Sequence, residues 1–133
     1  MEIPNFPVTD VGHRACPALL DALPTRVADQ HRRRTTGSTF GAAWGKDAIV
    51  LRCGVGKPAD YTKFAGCQTT DGVDWFVPDR IMEDQGADVV MTTIGRSPAV
   101  EVRMPASYRP ATAPMVDLAR VIKAHTREVS PCS

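Results

Sequence analysis

The sequence lacks the features that mark several large classes of protein. No window approaches the run of about 18 apolar residues that a membrane-spanning helix needs. The 16 basic and 15 acidic residues nearly balance, which gives no support for a nucleic-acid partner. Aromatic residues make up only 6% of the chain, and none interrupts its one dense basic run, HRRR at 31–34. What remains is a chain of 133 residues, enough for one domain with a modest core.

The first residues do not form a signal peptide. The stretch EIPNFPVTD is polar and interrupted by Pro4 and Pro7, and it has no basic segment followed by an apolar one. We interpret residues 1–14 as an extended lead-in to the domain. The cysteines described next lead us to expect that a signal or anchor preceding it has been removed.

Four cysteines are scattered along the chain without the spacing of a zinc or redox motif. They are Cys16, Cys53, Cys67 and Cys132, and none belongs to a Cys-x-x-Cys pair. An even number of separated cysteines in a small domain favours two disulfides formed in an oxidising compartment. From the residues alone all three pairings stay open, and four buried free thiols in a cytosolic protein are the alternative.

Hydrophobic periodicity predicts a helix, then about five strands, then a second helix. ACPALLDALPTRVADQH has a helical stripe, with Pro17 at the first helical position and a kink at Pro24. The segment 115–128 has the clearest helical pattern in the chain. Short strands are predicted in TFGAAWG (39–45), AIVLRC (48–53), CQTT (67–70), VDWFV (73–77), ADVVMTTI (87–94) and AVEVRM (99–104).

This element order is typical of an α+β domain rather than an alternating α/β fold. Asp71-Gly72 predicts a two-residue hairpin turn, and AVEVRM alternates as a strand with one buried and one wet face does. We therefore expect an antiparallel sheet of about five strands with the N- and C-terminal helices packed on one face. The domain is expected over residues 15–129, followed by a tail at 130–133.

The stretch VLRCGVGKP has the appearance of a phosphate-binding loop but the wrong spacing. Leu51 stands where the first glycine of such a loop is needed, and Pro58 stands where the hydroxyl residue after Lys57 is needed. No helical pattern follows to supply the helix N-terminus that would bind phosphate. We interpret Gly54 and Gly56 as letting the chain turn out of a strand.

No constellation of catalytic or metal-binding residues is visible, and we expect neither a cofactor nor a metal. The three histidines are far apart in the chain, and no serine lies in Gly-x-Ser-x-Gly. An enzyme would need a site assembled from distant residues. The first candidates for such a site are Asp74, Arg96, Glu101 and His125.

A second set of residues is considered for binding. The arginines of HRRR either bind an anionic group or form a solvated helix end. Trp75 either packs in the core or, if exposed beside a pocket, anchors a ligand. The candidate binding residues are Arg32, Arg33, Arg34, Trp75 and Arg96.

Six segments in this order resemble a known family. They are CPALLDALP, AAWG, IVLRCGV, GVDWF, TTIGR and VEVRMPASY, spread over roughly residues 15–125. Together they resemble the domain of unknown function 3515, a family of small actinobacterial envelope proteins. The resemblance implies a secreted or membrane-tethered protein and supplies no catalytic residues. Because Cys16 and Cys53 fall within family-like segments, it also implies that these two pair, which leaves Cys67 and Cys132 for a second bridge.

These observations lead to one expected function and two alternatives. We expect a monomeric, non-enzymatic extracytoplasmic domain that binds a protein partner or an envelope component. It would bind no nucleic acid and would touch the membrane only through a removed anchor. The alternatives are a small envelope hydrolase or lyase, and a small-ligand carrier, which needs an apolar cavity of at least about 300 Å³.

Overall fold

The computed structural model, which describes residues 1–132, is built around an eight-stranded sheet. In chain order the elements are β1 (Glu2–Ile3), α1 (Asp10–Asp21), β2 (Arg26–Val27), β3 (Gln30–Arg33), β4 (Thr36–Gly37), β5 (Gly41–Trp44), β6 (Ile49–Val55), β7 (Gln68–Thr70), β8 (Val73–Phe76), α2 (Asp79–Met82), β9 (Val89–Thr93), β10 (Arg96–Ser97), β11 (Ala99–Met104), α3 (Thr112–His125) and β12 (Arg127–Glu128). A 3₁₀ turn at Ala106–Tyr108 precedes α3.

The main sheet has the strand order β2-β3-β5-β6-β11-β9-β8-β7. Every neighbouring pair in it is antiparallel, which confirms the predicted antiparallel α+β architecture. The expectation of about five strands is wrong, partly because β2 and β3 form in a stretch predicted to be helical. Two small ribbons lie outside the main sheet: β1 pairs with β4, and β10 pairs with β12.

Helix α1 begins earlier and ends earlier than the sequence pattern predicts. It starts at Asp10, and the Thr9 hydroxyl caps it by accepting a hydrogen bond from the Gly12 N–H at 3.1 Å. Pro17 therefore lies inside the helix instead of at its first position, and the extended lead-in stops before residue 14. The helix ends at Asp21, so no kink forms at Pro24.

The chain after Pro24 turns back as a hairpin instead of continuing a helix. Strands β2 and β3 pair through Val27 and Gln30, and the turn residues Ala28 and Asp29 have φ values of 49° and 62°. Two residues with positive φ suit the right-handed twist of the flanking strands. The basic run therefore lies in and just after β3, the second strand of the sheet, rather than at a helix end.

The later elements match the sequence pattern closely. The predicted hairpin turn is present at Asp71 and Gly72, with φ values of 50° and 84° between β7 and β8. A single helical turn, α2, follows β8. Helix α3 covers most of the predicted C-terminal helix and buries Met115, Leu118 and Ile122.

The core lies between the sheet and the two long helices. Alternate residues of the central strands point into it because side chains alternate across a strand. From the helices, Cys16, Leu19 and Leu118 pack among them. The fully buried side chains on the strand side include Trp44, Leu51, Trp75, Met91 and Val102. Within residues 1–132, no helix is both long and apolar enough to cross a membrane.

Both disulfides have the pairing implied by the family resemblance. Cys16 of α1 bonds to Cys53 of β6, with the two Cα atoms 5.9 Å apart and both residues fully buried. Cys67, just before β7, bonds to Cys132 near the C-terminus, with Cα atoms 6.3 Å apart. The first bridge fixes α1 to the centre of the sheet, and the second ties the C-terminal segment to the β7 edge. Ser133, the end of the predicted tail, lies outside the described residues.

Candidate functional site

The basic run at 31–34 does not form one binding surface. The Arg32 Cζ atom lies 5.5 Å from the centroid of the Trp44 ring. Arg33 instead donates hydrogen bonds of 3.0 and 2.9 Å to two backbone carbonyls in the β5–β6 turn. Because successive residues of a strand point to opposite sides, these arginines are divided between two faces. Arg34 remains as an exposed residue after the strand ends.

Two other candidate binding residues make contacts within the fold. Trp75 is fully buried in the core and presents no surface to a ligand. Arg96 donates from Nε to the Thr126 hydroxyl at 2.8 Å and from Nη2 to the Thr126 carbonyl at 3.3 Å. These bonds join the turn after β9 to the end of α3, so packing and capping account for both residues.

The four residues considered for an enzymatic site do not converge. No hydrogen bond or ion pair joins any two of Asp74, Arg96, Glu101 and His125 within residues 1–132. Asp74 accepts from the Thr69 hydroxyl and from a backbone N–H, whereas Glu101 of β11 pairs with Arg52 of the neighbouring β6 and with Arg103 of its own strand. His125 ends α3 on the helical side of the sheet. The described residues also hold no group of three His, Cys, Asp or Glu placed to bind a metal ion.

The sheet face that points away from α1 and α3 is here called the open face. It is formed by alternate residues of five neighbouring strands, which are β5, β6, β11, β9 and β8. The strand register aligns these residues in two rows across the sheet. The first row is Gly41, Arg52, Glu101, Thr92 and Phe76, and the second is Ala43, Val50, Arg103 and Val90.

Two segments from outside the main sheet border the open face. The N-terminal segment, residues 1–8, crosses β5 and β6, where the Arg52 Cζ atom lies 4.1 Å from the centroid of the Phe6 ring. On the far side, Tyr61 in the β6–β7 loop packs edge-on against Phe76, with ring centroids 5.3 Å apart. Between these two walls the second row stays accessible, because Arg103 is exposed and Val50 and Val90 are half-buried, whereas Thr92 and Phe76 of the first row are buried.

A cluster of three charges lies between these two walls. One carboxylate oxygen of Glu101 accepts from Arg52 Nη1 at 3.1 Å and from Arg103 Nε at 2.9 Å. The Glu101 side chain is only 13% exposed, whereas that of Arg103 is 54% exposed. Two guanidinium groups thus share one carboxylate, which leaves one unbalanced positive charge, and Arg103 carries it toward solvent.

Two clefts meet at Arg103. One, of about 240 Å³, lies between β6 and the N-terminal segment. The other, of about 280 Å³, lies between β9, β11 and the β6–β7 loop. We call the two clefts together the open-face groove. Each cleft by itself is smaller than the apolar cavity set above for a small-ligand carrier.

A third cleft lies at another end of the sheet, beside the beginning of α1. It measures about 370 Å³ and combines apolar Val11 and Val129 with the basic residues Lys57 and Arg96. Its volume reaches the value set for a carrier, but its lining is of mixed polarity. Arg96 is already engaged with Thr126, as described above.

The residues of the charge cluster were only partly foreseen from the sequence. Glu101 was considered for an enzymatic site, but Arg52 and Arg103 were not singled out. Both alternate with buried neighbours in their strands, so the sequence pattern predicts that they lie on a solvent-facing side of the sheet. Their meeting was not, because it depends on β6 pairing with β11, which brings together residues 49 positions apart.

The fold and the groove together define a class: a small antiparallel α+β domain with two disulfides, helices on one sheet face and a charged groove on the other. A sequence profile described as "Protein of unknown function (DUF3515)" matches residues 1–131. The chain belongs to this family, which confirms the family resemblance noted in its sequence segments. No curated protein and no solved structure shows significant similarity to the chain.

Proposed function

We propose that this protein is a non-enzymatic, extracytoplasmic binding domain and that the open-face groove receives a partner protein of the cell envelope. The observation that carries the proposal is the charge cluster of Arg52, Glu101 and Arg103, on a sheet face that is walled on two sides and leaves Arg103 exposed between them. Arginine is enriched at protein interfaces relative to the rest of the surface, so an exposed arginine beside aliphatic strand residues fits a protein-binding surface.

The disulfides support the compartment in this proposal. Disulfides form and persist in oxidising environments and are rare in the reducing cytosol. Both bridges close long loops, with sequence separations of 37 and 65 residues. A protein that depends on them for stability functions best outside the cytoplasm.

The geometry favours binding over catalysis. Arg52, Glu101 and Arg103 are paired with one another, and His125, considered for an enzymatic site, lies on the other side of the sheet. A general acid or base must lie within hydrogen-bond reach of the reacting group. The groove instead offers a guanidinium group with free donors, which recognises a ligand without reacting with it.

Site-specific photo-crosslinking in intact cells tests the proposed surface. A photoreactive residue replaces Val90 on the open face, and the matched control replaces Ala18 on the exposed side of α1. We expect a discrete crosslinked protein from position 90 and none from position 18. The same adduct from both positions, or an adduct from position 18 alone, would contradict the proposal.

A membrane-impermeant amine reagent tests the compartment separately. Applied to intact cells, it should modify the exposed Lys46 and Lys123 as fully as in lysed cells. Modification only after lysis would place the domain in the cytoplasm and overturn that part of the proposal.

A further inference from the structure

We infer that the partner presents a single carboxylate to Arg103 from an extended segment with apolar side chains on either side. This inference rests on the proposed function, because it names the chemistry of what the open-face groove receives.

Arg103 has donors left to offer. Its Nε donates to Glu101, and neither of its Nη groups makes a hydrogen bond within residues 1–132. The two Nη groups and their four N–H bonds form the outer part of a planar guanidinium that is more than half exposed. A carboxylate matches this fork with two parallel hydrogen bonds, which makes it a fitting ligand for the site.

The charge of the cluster favours a monoanion. Arg52 and Arg103 carry two positive charges against the one negative charge of Glu101, so a single further negative charge balances the group. A dianionic phosphate would add an uncompensated charge close to the Glu101 carboxylate, where like charges repel. The charges of Asp60 and Arg80, which line the same cleft, offset each other and leave this balance unchanged.

The neighbours of Arg103 favour apolar residues beside the carboxylate. Its cross-strand partners on the open face are Val50 on one side and Val90 on the other. Directly opposed residues of antiparallel strands lie close enough for their side chains to share one ligand. An extended segment that places an acidic residue on Arg103 therefore sets the side chains two residues before and after it, which point to the same side, against aliphatic surface.

The shape of the site favours a peptide segment over a compact solute. The two clefts lie on opposite sides of Arg103, so a ligand that fills both passes over the guanidinium. Neither cleft is large enough to bury a drug-sized molecule on its own. A chain in extended conformation fills such a groove without a deep pocket.

Titration of the full, disulfide-bonded chain with defined peptides tests the inference. The probe is acetyl-Val-Thr-Glu-Thr-Val-amide, whose only charge is the glutamate carboxylate and whose two valines point to the same side as the glutamate when the peptide is extended. Nuclear magnetic resonance follows the Arg103 Nε–H and the methyl groups of Val50 and Val90. We expect saturable shifts at these three residues, and a dissociation constant at least about tenfold higher when the probe carries glutamine instead of glutamate.

Three variants separate recognition from structure. Arg103→Gln should raise the dissociation constant for the glutamate probe at least about tenfold, and Arg103→Lys should raise it less, because the charge remains but the fork is lost. Arg120→Gln, which removes an exposed arginine from the outer side of α3, should leave it unchanged. Thermal unfolding of each variant checks that the domain is intact.

Several outcomes overturn the inference. Equal binding of the glutamate and glutamine probes, shifts centred elsewhere, or no shift at millimolar probe would do so. Tighter binding of a probe with phosphoserine in place of glutamate would show that the site prefers a phosphate to a carboxylate, which contradicts the inference. If position 90 crosslinks its partner equally in the wild type and in Arg103→Gln, the inference fails while the proposed function stands. If position 90 captures nothing, both fail.

Discussion

Gly12 of α1 and Gly54 of β6 are in direct backbone contact. A Cβ atom built on Gly12 would lie 2.7 Å from the Gly54 Cα, closer than real Cβ contacts allow. Gly54 is the unpaired residue of a β-bulge, since Val55 pairs with Ala99 and Cys53 pairs with Val100. The Thr9 N–H donates to the Gly54 carbonyl at 2.9 Å, so the bulge also joins the start of the helix. This close approach lets Cys16, one turn further along α1, reach Cys53.

A methyl group at either glycine should therefore destabilise the fold. Gly12→Ala forces two backbones apart, and Gly54→Ala places a side chain at φ 89°, against Val8 and Gly12. We expect each to lower the free energy of unfolding by about 2 to 4 kcal/mol. Gly56→Ala is the matched control, because a Cβ there meets nothing within 4 Å; its effect should stay within about 0.5 kcal/mol. Urea unfolding of the oxidised proteins measures all three, and equal effects at positions 54 and 56 would refute the contact.

Both disulfides should stabilise the fold, and the buried Cys16–Cys53 bridge should contribute more. In the chain-entropy treatment each bridge contributes about 4 kcal/mol, given loops of 37 and 65 residues. Replacing Cys16 and Cys53 with alanine should cost at least that much, because these side chains also pack in the core. Replacing Cys67 and Cys132 with serine should cost no more than about 4 kcal/mol.

Thiol counting provides the direct check on the bridges. Mass spectrometry of the non-reduced, alkylated protein should show no modified cysteine, and reduction should expose four. Four alkylated cysteines without reduction would remove both the bridges and the main support for an extracytoplasmic location.

The two buried tryptophans should respond differently to loss of their indole nitrogen. Trp44 Nε1 donates to the Pro24 carbonyl at 3.0 Å, whereas Trp75 Nε1 has no hydrogen-bond partner within residues 1–132. Trp44→Phe removes a bond and leaves a carbonyl unpaired, while Trp75→Phe removes a donor that was already unpaired. We expect Trp44→Phe to be the more destabilising by about 1 to 3 kcal/mol. Chemical denaturation of the pair measures the difference, and the reverse order would contradict the hydrogen-bond assignment.

Arg96 should affect stability and leave binding intact. Its bonds to Thr126 connect the turn after β9 with the end of α3. Arg96→Gln should lower the free energy of unfolding by about 1 to 2 kcal/mol, within the range for bonds to a charged donor at a partly exposed site. The crosslinking yield from position 90 should be unchanged at a temperature where the variant is folded. Loss of the adduct from a folded Arg96→Gln protein would contradict this prediction and show that Arg96 contributes to binding.

Local patterns predicted the later part of the fold well. The turn at Asp71 and Gly72 and the alternation of β11 depend on neighbouring residues alone, so the sequence carries them directly. The stretch containing β2 and β3 was predicted as helix because Leu19, Leu23 and Val27 continue a helical spacing. Its turn uses alanine and aspartate at positive φ, where glycine or asparagine would have been a clearer signal.

The candidate site depends on information that local patterns do not contain. Alternation places Arg52, Glu101 and Arg103 on wet strand faces. Their meeting requires the pairing of β6 with β11, across four intervening strands and a helix in sequence. Long-range packing likewise decides that Trp75 is buried, and strand order places β3 beside the short edge strand β2. Strand order in the sheet, more than the identity of the strands, determines which side chains form the groove.

Arginine footprinting tests the central claim, that the open-face groove is occupied in the native envelope, most directly. Phenylglyoxal modifies exposed guanidinium groups, and Arg103 and Arg120 are both exposed in the isolated chain, on opposite sides of the sheet. In the purified protein both should be modified. In intact envelopes the account predicts that modification of Arg103 falls at least about fivefold while that of Arg120 is unchanged, since a bidentate partner carboxylate covers only the first. Equal modification of Arg103 in the purified protein and in the envelope would contradict the account.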